Sequence, residues 1–170
     1  MSALPASGFD LGPLSWVKTE IDHSLGQARE NLDKIAAAPA DRAPVKYILT
    51  HLHQATGALA MVGLGAATRF NEELERLVSS LESCAAGDIA ARVPVAKRAI
   101  ALLSGYLDAL MAGEPDRPMS LLAVYIELNR ARGVTDATEG DLFHPDLAVE
   151  LPAPAEPPAG VRRWPDPSRT

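Results

Sequence analysis

The chain has one cysteine, few aromatic residues and no long apolar run, and each shortage removes a class of protein. Cys84 alone cannot close an internal disulfide, and no pair of cysteines stands at a metal-binding spacing. Aromatics make up 5% of the sequence while hydrophobic residues reach 47%, so a core has to be built from Leu, Ile, Val and Ala. That mixture favours helices, because Ala and Leu are strong helix formers while strands prefer β-branched and aromatic side chains. The longest small or apolar run, Ala58 to Ala67, falls well short of the roughly 18 residues that a membrane-spanning helix needs. The start, MSALPASGFDLGPLSW, lacks the basic residues and apolar stretch of a signal peptide. Basic residues are also outnumbered, 16 against 22 acids, for a formal net charge of -6. That balance opposes nucleic acid and anionic membranes as partners. A reducing, cytoplasmic setting without membrane insertion is the expectation.

At 170 residues the chain has room for one ordinary domain with a full core. Seven of its 14 prolines fall between Pro145 and Pro167. A stretch of that composition cannot bury enough apolar surface to offset its ordering entropy. The expected division is a flexible N-terminus at 1–12, a helical domain at 13–133 and a disordered Pro-rich linker or tail at 134–170. A linker that stops at Thr170 suggests a piece of a longer protein.

Hydrophobic periodicity predicts five helices. Leu14, Val17, Ile21, Leu25, Ala28, Leu32 and Ile35 form one stripe at three-four spacing. A second helix is predicted from about Val45 to Leu64, burying Val45, Ile48, Leu52, Ala55, Leu59 and Val62. The third carries Phe70, Leu74, Leu77 and Leu81, with Gly87 as its stop. In the fourth, Ile100, Leu103, Leu107 and Leu110 face inward, and Pro94 places the firm part after that residue. A shorter fifth follows Pro118, from Met119 to Arg132, and ends at Gly133. No segment alternates as a strand does. Long helices joined by short breaks predict an all-α fold, an antiparallel four-helix bundle with one additional helix.

The second helix also poses a puzzle. Gly57 and Gly63 fall inside its pattern, although a glycine in a helix interior costs roughly 1 kcal/mol relative to alanine. Successive helical residues are offset by about 100°, so with Leu52 facing the core His53 stands at its border. Gly57, Ala60 and Leu64 extend the same strip. His51 points to the opposite flank, so the HLH triplet is not a two-His metal clip, which on a helix needs i, i+4 spacing. His23 and His144 have no acidic or cysteine cluster to complete a metal site. Small residues beside an imidazole let another backbone approach closely, whether from a partner or from within the domain.

The segment HQATGALAMVGL resembles the histidine phosphotransfer (HPt) signature, a histidine followed by lysine at +3 and glycine at +4. His53 falls on the phospho-acceptor position, Gly57 on the glycine and Gly63 on a second small position, while Thr56 replaces the lysine. The likeness extends from about Leu14 to Leu147. LSWVKTEIDHSLGQARENLD, LHQATGALAMVGLGAA, YLDALMAG, ELNRARG and LFHPDL, in that order, resemble the N-terminal region of CheA-type hybrid histidine kinases of type IV pilus chemosensory systems. The resemblance implies a module that precedes further HPt, dimerisation, ATP-binding, coupling and receiver domains in a pathway governing twitching motility. Its implied partners are a response-regulator receiver domain, a pilus-system scaffold protein and the kinase domains of the parent chain. A related scaffold protein carries a similar degenerate domain, so a stand-alone adaptor without phosphotransfer is the alternative.

A neutral imidazole can attack a γ-phosphoryl group if charge on the transferring oxygens is stabilised. The HPt lysine would do this as a cation, and hydrogen bonds to charged groups contribute about 1.5–3 kcal/mol against about 0.5–1.5 for ordinary ones. Thr56 supplies one neutral donor. The expectation is therefore a degenerate HPt-like domain used for docking, with phosphotransfer at His53 as the second possibility and Gly57, Ala60, Gly63 and Leu64 as the docking lane. GLGAAT is neither a phosphate loop nor a dinucleotide turn, so no cofactor, metal or ATP is expected here. Glu72, Glu73 and Glu75 read as a solvated face, Glu30–Lys34 and Glu72–Arg76 as i, i+4 pairs, and Arg130 and Arg132 as complements to a helix dipole. Trp16 reads as an interface anchor or as core.

Overall fold

A computed structural model describes residues 11–143, and every regular element among them is helical. The first helix, α1 (Leu11–Ala37), starts ahead of the expected boundary at residue 13. Its predicted stripe is buried from Leu14 through Ile35 except Val17, which is half-buried. Trp16 lies outside the core, 87% exposed.

After a short break, α2 (Ala43–Met61) carries Pro44 in its first turn, where a missing N–H is tolerated. The Asp41 carboxylate accepts the Ala43 N–H at 2.9 Å. This helix ends before the expected Leu64, and the reason resolves half of the glycine puzzle. Gly63 lies just past the helix with φ of +78°, a conformation open to glycine and strained for other residues. Its N–H donates to the Ala60 carbonyl at 3.1 Å and the Leu64 N–H to the Leu59 carbonyl at 3.2 Å. That pair of bonds is a Schellman stop. Gly63 therefore terminates α2, and Leu64, 2% exposed, plugs the core below the turn.

The third helix, α3 (Gly65–Ser79), passes into a 3-10 turn at Ser80–Glu82. Gly87 is not its stop. That glycine sits in the first turn of α4 (Ala86–Met111), which contains Pro94 and begins well before it. An interior proline costs about 3 kcal/mol or more through a lost hydrogen bond and a clash with the preceding turn. The upstream turns hold because Ile89 and Val93 are buried and Arg92 donates to the Ser80 hydroxyl at 2.9 Å, while Pro94 itself faces outward.

A 3-10 turn at Pro118–Leu121 leads into α5 (Leu122–Ala131), and Gly133 follows its end with φ of +83°. The stretch expected to be linker from residue 134 onward begins with a further short helix, α6 (Glu139–Leu142). Its capping box joins Thr138 and Asp141, whose carboxylate accepts the Thr138 N–H at 2.8 Å. Leu142 is buried, so the packed region continues past 133. The rest of the expected tail, and residues 1–10 of the expected flexible N-terminus, lie outside the described residues.

The helical bundle is closed on itself, since α1 packs against α2 and α4, α2 against α3, and α3 against α4. In turn, α5 packs on α3 and α4, and α6 on α3 and α5. One apolar core runs through the ring. Across it, the Lys18 ammonium bridges Asp22 of its own helix at 2.6 Å and Asp108 of α4 at 2.7 Å. Burial, reinforced by a hydrogen bond to Asp116, pushes the Tyr106 phenol pKa up, so that side chain stays neutral. No described helix is long and apolar enough to cross a membrane.

Candidate functional site

The middle of α2 places Leu52 and Ala55 in the core, which turns His53 and Thr56 toward the flank shared with α3. His53 reaches solvent, its side chain 82% exposed. Thr56 is half-buried and Gly57 is exposed one turn beyond His53. Beyond its chain neighbours and its own helix backbone, a methyl at Gly57 would meet no atom within 4 Å. Nothing inside the domain requires a glycine there, so its helix penalty has no compensation from internal contacts.

Beneath His53 a polar relay crosses to α3. Asn71 is fully buried and its amide donates to the Leu52 carbonyl at 2.8 Å and to the Thr56 hydroxyl oxygen at 2.9 Å. Thr56 in turn donates to the Glu75 carboxylate. The other carboxylate oxygen of Glu75 lies 3.5 Å from His53 Nδ1. Both capacities of the Thr56 hydroxyl are thus engaged within the protein, and its proton goes to Glu75. Nδ1 of His53 faces a carboxylate and Nε2 is left as the outward nitrogen. A phosphoryl group on Nε2 would gain no cation from Thr56 and would lie near the charge of Glu75.

Around the relay, α2 and α3 form a groove of about 790 Å³ lined by Thr50, His53, Thr56, Glu72, Glu75 and Arg76. Glu72 and Arg76 also line a second groove that continues past Ala60, Gly63 and Gly65 to Asp141 of α6. Of the expected lane, Gly57, Ala60 and Gly63 are exposed, whereas Leu64 belongs to the core and cannot contact a partner.

The acidic run on α3 does not form one solvated face. Glu73 is 2% exposed, held by Arg76 at 2.8 Å and by Arg132 from the end of α5. The expected Glu72–Arg76 pair is replaced by Arg76–Glu73, and Arg132 does more than complement a dipole. The Glu30–Lys34 pair is also absent, since Lys34 donates to Asn31 at 3.0 Å. Periodicity could have exposed Glu73, which stands three residues after Phe70 and four before Leu77, on the inward stripe. Asn71, three before Leu74, carried a similar signal.

His51 leaves the site altogether. Its ring meets His23 of α1 edge to face, with centroids 6.5 Å apart, and His144 lies outside the described residues. Among the described residues, no group of three or more His, Cys, Asp and Glu is arranged to hold a metal ion. No family model, curated protein or solved structure matches the chain.

Proposed function

We propose that the chain is an HPt-like signalling module whose long helices form an antiparallel four-helix bundle followed by a disordered proline-rich tail. In this reading it docks other proteins at the front of a type IV pilus chemosensory histidine kinase, on the cytoplasmic side. The observation that carries the reading is an exposed imidazole on α2 with an open glycine one turn beyond it. An HPt surface needs that pairing, because the nucleophile must be reachable and the partner must come close. The likeness to the HPt signature at His53 and Gly57 supplies the identity of the module, and the closed ring of four helices agrees with it.

Docking is favoured over phosphorelay by the residue at the lysine position. Thr56 is committed to Glu75 and Asn71, and the groove presents carboxylates where a phosphoryl group would need a cation. The partners are a receiver domain or a pilus-system scaffold, together with the kinase domains of the parent chain. The stand-alone adaptor differs only in lacking those kinase domains.

The test uses the chain with a pilus-system receiver domain and an active kinase core. Gly57→Leu should abolish receiver binding in calorimetry and leave the helical circular dichroism spectrum unchanged. His53→Gln should keep the binding. Stable, acid-labile radiolabel on wild-type His53 would instead make phosphorelay the function, and unimpaired binding by Gly57→Leu would end the docking reading.

A further inference from the structure

We propose that the groove between α2 and α3 takes a helix from a partner protein whose contact edge is apolar and carries a lysine or arginine, and that this cation pairs with Glu72. The inference rests on reading the His53 face as a docking surface, and it names the chemistry of what docks there.

The first ground is the outer surface of α2. From Ala43 to Met61 the only permanently charged residue is Lys46. The exposed positions hold Tyr47 at 63% and Met61 at 80%, both outside the groove lining, and between them Thr50, His53, Gln54, Gly57 and Ala60. By contrast, α1 exposes Glu20, Asp22, Arg29, Glu30, Asp33 and Lys34. Charge depletion with exposed Tyr and Met is the composition of the centre of a protein interface. The bare surface at Gly57 would let a helix backbone approach closely.

The second ground is Glu72. It is half-buried, lines the groove both beside His53 and beside Ala60, and has no hydrogen-bond or ion-pair partner among the described residues. Its neighbours differ. Glu73 is held by two arginines and Glu75 by Thr56, with His53 alongside. Of the two arginines that line a groove with it, Arg76 is engaged by Glu73 and Arg69 reaches toward the Asp141 carbonyl. A half-withdrawn carboxylate that makes no ion pair within the fold is complemented by a cation from outside, and like charge in a partner is rejected. A partner edge that carried carboxylates or a phosphoryl group there would set like charge beside Glu72.

The test titrates the isotope-labelled full chain with two synthetic amphipathic helical peptides of equal length, one of leucine and lysine, the other of leucine and glutamate. The lysine peptide should shift backbone amides of residues 47–61 and 65–76 and bind about tenfold tighter than the glutamate peptide. Glu72→Lys should reverse that preference and Glu72→Gln should reduce it, while Glu114→Lys, an exposed site away from the groove, should leave it unchanged. Shifts centred on another face would overturn the proposal, as would equal effects of Glu72→Lys and Glu114→Lys. So would concentration-dependent self-association mapped to α2. Receiver binding that is lost in Gly57→Leu yet indifferent to Glu72→Lys would sink the cation inference alone and leave the docking reading standing.

Discussion

The two flanks of α3 treat the same chemical group in opposite ways. On the flank covered by α5, Glu73 is withdrawn from water and held by Arg76 and Arg132. On the flank shared with α2, Glu72 is half-buried without a counter-ion, and Glu75 is tied into a relay that ends at an exposed histidine. Neighbouring acids in one helix thus divide between a structural ion pair and a surface left open. A carboxylate that the fold covers must be compensated by the fold, because an uncompensated buried charge is expensive. One that the fold leaves unpaired at a groove edge can be compensated by something that arrives.

The largest effect should come from uncoupling the covered flank. Arg132→Leu should cost about 3 kcal/mol in urea unfolding, within the range for breaking a buried ion pair, with Arg76 as the remaining partner of Glu73. The double variant Glu73→Leu with Arg132→Leu should recover most of that loss, since replacing both partners by apolar groups is often neutral. If the double variant is as unstable as the single one, the pair is not the link between α3 and α5.

The open flank should respond with the opposite sign. Gly57→Ala should stabilise the domain by about 0.5–1 kcal/mol, because the helix gains a better former and the new methyl meets nothing. A loss of stability on that change would mean that Gly57 serves internal contacts. The smallest effect belongs to Glu72. Glu72→Gln should change stability by less than about 0.5 kcal/mol, as surface substitutions away from structural networks do. A larger loss would place Glu72 with Glu73 and erase the contrast between the flanks.

Much of the architecture was legible in the sequence because the core is aliphatic and periodic. The inward positions of α1 and α3, such as Ile21, Leu25, Phe70 and Leu74, are the buried ones. Punctuation was harder. A glycine in a helix and a glycine ending one look alike until φ is known, so the spacing alone puts Gly63 inside α2 and Leu64 on its face. Burial of Ile89 and Val93 outweighs the breaking tendency of Pro94 and Gly87 in α4. At the site, His53, Thr56 and Gly57 could be read from their spacing, but Glu75 and Asn71 could not be assigned to them. Their role depends on how α3 lies against α2, a tertiary relation that local periodicity does not carry. The short α6 left a faint trace in Thr138 and Asp141, whose spacing is that of a capping box.

Pinning of α6 has a consequence for how affinity at the groove should be measured. With Leu142 sunk in the core and Asp141 lining the groove that begins at Ala60, the described chain ends beside that groove. A sequence joined there through a short flexible linker would be presented to it at an effective concentration of about millimolar. A free competitor at micromolar concentration would then need an intrinsic affinity about a thousandfold higher to displace it. For a partner joined in that way, covalent connectivity would weigh as much as contact chemistry.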